Sequence, residues 1–143
     1  MNNKRKMKPI VILITFIAFS LVGSLRAGEL NELINHYAAL AKTQDALFDG
    51  FDVGRGKSLY ITKSLDGKKD TPSCTTCHTN DPTKAGETRA GKTIDPMAAS
   101  ASPQRYQSLK KAEKWFRRNC KSVLGRECTV TEKGDFLTYM KNS

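Results

Sequence analysis

Sustained alternation of apolar and polar residues, the mark of a half-buried strand, is almost absent from this sequence, which argues against a sheet-based fold. Site-building residues are scarce: two histidines, four cysteines and one tryptophan in 143 residues. No glycine-rich phosphate loop, acid pair or Ser/His/Asp set is evident, so nucleotide-dependent and hydrolytic chemistries have no foothold. The longest apolar run, Pro9 to Val22, has 14 residues, and a helix spanning a bilayer needs about 20. The first 27 positions contain no acid at all.

What stands in those 27 positions is ordered. Lys4, Arg5, Lys6 and Lys8 precede the apolar run, and Gly23-Ser24-Leu25-Arg26-Ala27 follow it. Charge, short apolar segment and small residue in that order read as a secretory signal peptide, with cleavage placed after Ala27. The expected organisation is therefore a signal peptide over 1–27 and one domain over 28–143, exported to the periplasm and without stable membrane insertion after cleavage. Five of the 24 basic residues and none of the 14 acids leave with the signal, so net charge falls from +10 to about +5. Nucleic acid is not implied by such a balance. A moderate positive face remains for steering an acidic partner protein.

Helical spacing dominates the rest. Leu30, Leu33, Ile34, Tyr37, Leu40 and Ala41 predict an amphipathic helix over 29–42. A short helix is expected from near Asp52, and residues 64–73 read as a loop. Residues 79–103 show no sustained period and predict a long irregular stretch, of the kind that wraps around something. From 107 to 123, Leu109, Ala112, Phe116, Cys120 and Val123 share one arc. Lys110, Lys111, Lys114, Arg117, Arg118 and Lys121 share the opposite one. Gly125 offers a stop, and 131–141 predicts a terminal helix.

The chemistry concentrates in Cys74-Thr75-Thr76-Cys77-His78. A structural zinc site would want a second Cys-x-x-Cys pair, and Cys120 and Cys128 are too far apart to be one. A thioredoxin-like redox pair would want strands alternating with helices. Haem attachment accounts for every position: each thiol adds across one vinyl group, and the adjacent histidine reaches the iron. In an exported chain the motif reads as attachment of one covalent haem c through Cys74 and Cys77, with His78 as iron ligand. That leaves Cys120 and Cys128 as an even pair, expected to form a disulfide in an oxidising compartment.

The residue opposite His78 is open on these grounds. His36 lies at the edge of the apolar stripe of its helix, and Met140 sits in the last turn of the chain. Met97 sits in a proline-flanked loop but only 19 residues after His78, a tight path round a haem edge. Asn119, 41 residues on, projects from the apolar arc beside Ala112, Trp115 and Phe116. A polar side chain so placed needs a partner, and an end-of-helix cap is the competing role for asparagine.

The run Trp115-Phe116-Arg117-Arg118-Asn119-Cys120, then Val123 to Thr129, then Glu132 to Leu137, resembles the C-terminal signature of the SHP-type (sphaeroides haem protein) cytochromes c. Gly91 to Ala98 and Ser102 to Tyr106 are similar to the middle segment of the same family. The resemblance implies an all-α, class I cytochrome c fold, with helices packed around one haem. It implies Asn119 as a distal ligand, lost on reduction so that oxygen or nitric oxide can bind, and a neighbouring Cys120–Cys128 disulfide. Trp115 and Phe116 are expected to line the pocket. A dihaem cytochrome c, or another redox protein, is the implied electron donor. The function expected is electron transfer with a displaceable ligand. The alternatives are a plain low-spin shuttle with Met97 as sixth ligand, or a reductase of oxygen or nitric oxide.

Overall fold

The computed structural model describes residues 11–143, with side chains from Gly28 onward; the signal segment read over 1–27 lies outside those described side chains. Its elements run α1 (Val11–Gln44), α2 (Val53–Ile61), α3 (Thr75–His78), β1 (Gly86–Glu87), β2 (Thr93–Ile94), a 3-10 turn (Pro103–Tyr106), α4 (Leu109–Leu124) and α5 (Val130–Lys141). The architecture is all-α, and among the described residues no helix is long and apolar enough to cross a membrane.

Leu30, Leu33, Tyr37 and Ala41 of α1 are buried, at the three- and four-residue spacing that puts side chains on one helix face. Leu40, expected on that face, is 38% exposed and belongs to the flank. The helix also runs further in both directions than the 29–42 expected from periodicity. In the stretch expected to be irregular, β1 and β2 form one two-residue antiparallel pair, Gly86 opposite Ile94. Alternation needs four residues or more to be visible in a sequence.

The core is the crossing of α2 and α5, with α1 laid against α5. Asp52 caps α2 by accepting from Arg55 N at 2.7 Å. At the crossing Gly56 faces the Asp135 carbonyl so closely that a Cβ would collide with it. Asp135 is 3% exposed, and its carboxylate accepts from Asp52 N at 2.7 Å and from Arg55 Nε and Nη2 at 2.7 and 2.9 Å. A buried carboxylate needs this full set of donors. Tyr60, Leu137 and Met140 fill the space around them.

Helix α4 begins at Ser108, whose hydroxyl accepts from Lys111 N, and ends at Gly125 with φ +70°. That left-handed cap favours glycine, and a Cβ there would also meet the Asp66 carbonyl. The 64–73 loop thus docks on the C-terminal end of α4. Lys68 N donates to Ser122 O at 2.7 Å, and the Thr71 and Ser122 hydroxyls are 2.9 Å apart. Helix α5 is opened by a reciprocal capping box between Thr129 and Glu132.

Candidate functional site

Cys74, Cys77 and His78 occupy one helical turn. Cys77 N and His78 N both donate to Cys74 O, at 3.3 and 3.1 Å. Positions i, i+3 and i+4 lie on one side of a helix, so the two thiols and the imidazole face the same space. The turn is fixed from behind by the phenol of Tyr60, which donates to His78 O at 2.9 Å and to Thr79 O at 3.0 Å. Thr79 then takes φ +62°, uncommon for a β-branched residue. Its hydroxyl donates to Asp81 O at 2.8 Å and secures the reversal. Gly86 of β1 presses on the Cys77 carbonyl, where a Cβ would collide.

The space they face is a cavity of about 620 Å³, within the roughly 300–1,000 Å³ of small-molecule and cofactor sites. Its lining includes Cys74, Cys77, His78, Met97, Trp115, Phe116 and Asn119, so the structure gathers these sequence-derived candidates at one place. From α4 come Ala112, Trp115, Phe116, Asn119 and Val123, with Asn119 at the middle of that arc. The C-cap of α4 is Gly125, so Asn119 stands inside the helix and does not cap it. His36 is exposed and is not among the residues that line the cavity. Met140 is fully buried in the core.

Met97 lies differently from Asn119. Its N–H and that of Ala98 donate to Pro82 O, both at 2.8 Å, and its carbonyl accepts from the Tyr106 phenol at 2.5 Å. Pro82 follows His78 by four residues, so the Met97 backbone is tied to the segment that follows the Cys74–His78 turn. Cys120 and Cys128 are joined, with Cα atoms 5.5 Å apart, and Cys120 follows Asn119 directly on α4.

Burial, then the nearby Arg105 guanidinium, pushes His78 down to about 4, leaving a neutral imidazole. Its Nδ1 is buried with no hydrogen-bond partner. Neutral imidazole is the form that binds a metal. Lys92, Arg105 and Lys111 stand on the cavity wall. Arg105 is held by backbone carbonyls, Nε to Pro96 O at 3.0 Å and Nη2 to Asp95 O at 2.6 Å, and so keeps its charge for another anion. Thiols on one turn, a neutral buried imidazole, an apolar wall and cations for two carboxylates suit a haem. No local spacing singles out Tyr60, Arg105 or Tyr106 as site residues, because each acts through contacts distant in sequence; Arg105 and Tyr106 are touched only by the family resemblance of Ser102 to Tyr106.

Residues 46–140 match a family model described as Domain of unknown function (DUF1924). Over 89 residues the chain is 52% identical to the cytochrome c-type protein SHP of Cereibacter sphaeroides, covering 62% of this chain and 69% of that protein. Among solved structures it is similar to oxidised SHP, described as an oxygen-binding cytochrome c. That match has a TM-score of 0.73 and 45% identity over 80% of this chain and 96% of the other. Oxidised cytochrome c'' from Methylophilus methylotrophus matches with a TM-score of 0.69 and 26% identity, over 80% and 94% of the two chains.

Proposed function

The chain belongs to the SHP-type cytochromes c and carries one covalent haem c, and from that premise we propose that it is an exported electron carrier with a distal ligand, Asn119, that leaves readily. On this reading residues 1–27 are a signal peptide and 28–143 form the periplasmic haem domain. Cys74 and Cys77 are the thioether anchors and His78 is the proximal ligand. Trp115 and Phe116 wall the distal side. A haem held by Cys74, Cys77 and His78 would supply a one-electron iron couple. An amide oxygen is a weak donor, least suited to the ferrous state, so Asn119 can give way to oxygen or nitric oxide. A dihaem cytochrome c or another redox protein delivers the electron.

One observation carries this reading: Asn119 occupies the middle of the α4 arc that faces the cavity, while the Met97 backbone is tied to Pro82, four residues after His78. That placement supports an amide across from His78 and leaves Met97 poorly sited for a plain shuttle. The test is a pair of haem-loaded variants. Asn119→Ala is expected to change the ferric optical spectrum, and Met97→Leu to leave its ligand-dependent bands in place. The reverse pattern would return the sixth position to Met97.

A further inference from the structure

Glu113 is the only acid in α4, among six cations. Arg117 stands four residues on, the spacing of a favourable helix ion pair. The Glu113 carboxylate nevertheless goes elsewhere. Lys133 of α5 donates to its two oxygens at 3.0 and 2.9 Å, and the Tyr37 phenol of α1 donates to Oε1 at 2.6 Å. Tyr37 is fully buried, and burial, then Glu113, raises its pKa far above the ordinary value, so the phenol stays protonated as a donor. One carboxylate thus ties three helices together.

The cluster lies directly behind the cavity wall. Phe116 lines the cavity, and the Tyr37 ring meets it edge-on at 6.0 Å, with Phe136 at 5.6 Å. The Lys133 ammonium sits 5.7 Å from the Tyr37 ring centre and 6.0 Å from that of Phe116. Glu113 precedes Asn119 by six residues, about 9 Å along the helix axis. The Cys120–Cys128 disulfide follows Asn119 by one. Asn119 is held between two anchors.

We propose that the Tyr37–Glu113–Lys133 cluster is a positioning device that sets how easily Asn119 leaves the iron. This rests on the reading of Asn119 as distal ligand. With both anchors in place α4 cannot drift, and departure of Asn119 is confined to rotation of its own side chain. Releasing the cluster frees the N-terminal half of α4 to tilt away from the haem, which lowers the hold of the amide on the iron.

The experiment uses the ferric haem-loaded protein and azide as the probe, reading the limiting binding rate at saturating azide, where loss of the resident ligand controls the rate. Glu113→Gln and Lys133→Met are expected to raise that limit about threefold, the scale of a partly exposed ion pair. Tyr37→Phe, a milder change should the others fold poorly, is expected to raise it less. Arg55→Met breaks the Arg55–Asp135 pair, in which no α4 residue takes part; it is expected to lower stability and leave the rate unchanged. A limit unchanged in all three cluster variants, or raised equally by Arg55→Met, overturns the device. In an Asn119→Ala background the cluster variants should add nothing. An Asn119→Ala protein with an unaltered spectrum removes the premise about Asn119 and the device with it. A responsive Asn119→Ala beside a silent Glu113→Gln removes the device alone.

Discussion

Burial disfavours the charged form both at His78, on the cavity wall, and at Glu113, behind it, but the outcomes differ. At His78 it disfavours the charged form and keeps the imidazole ready to bind a metal. At Glu113 burial pushes the carboxyl up, but the hydrogen bonds from Tyr37 and Lys133 outweigh it and hold the group below its ordinary range. A carboxylate depressed on folding stabilises above its unfolded pKa, about 4.3, and loses that contribution as pH falls through the folded value. Glu113→Gln is therefore expected to flatten the loss of stability as pH falls below about 4.3, measured by urea unfolding at each pH. The carboxylate is partly exposed and screened, so the difference stays below about 1 kcal/mol. An acid limb as steep as in the parent protein would show that Glu113 gains nothing on folding.

Helix α4 is the element on which the account turns. Its ends are tied by the Ser108 cap, the docked 64–73 loop and the Cys120–Cys128 disulfide. Replacing both cysteines by alanine is expected to cost about 2–3 kcal/mol in stability. It is also expected to speed azide binding to the ferric protein, where Asn119 must leave first, because Cys120 adjoins Asn119. Identical rates in the parent and the double variant would separate the disulfide from ligand release. Helix α4 was also the most legible element in the sequence, since its apolar and basic arcs lie on opposite sides of one helical wheel. The haem-binding turn was legible too, as a local motif. The length of α1, the two-residue pairing of β1 with β2, the Arg55–Asp135 lock and the Glu113 cluster were not. Asp135 lies on the buried face of α5, where periodicity predicts an apolar residue. Its partner Arg55 stands 80 residues away, and Tyr37 is 76 from Glu113. Such pairings carry no short-range signal.

Over the whole molecule, most of the cations of α4 stand outside the cavity lining, and Lys111, expected on the basic arc, lines it instead. Lys110, Lys114, Arg117, Arg118 and Lys121 are all exposed, and Arg118 sits 5.1 Å above the Trp115 ring at the cavity rim. A cationic face next to a cofactor suits an acidic redox partner. Electron exchange with such a partner is expected to slow as ionic strength rises, in stopped-flow measurements across a salt series. A rate indifferent to salt would make this face a solvated helix surface only.

The central claim, a weak and displaceable amide opposite His78, is tested most directly by the optical spectrum of the haem-loaded protein: oxidised, reduced, and reduced under carbon monoxide. The account predicts a high-spin reduced spectrum that shifts at once with carbon monoxide. A low-spin reduced spectrum indifferent to carbon monoxide, with a far-red sulfur-to-iron band when oxidised, would contradict it and make Met97 the ligand of a simple shuttle.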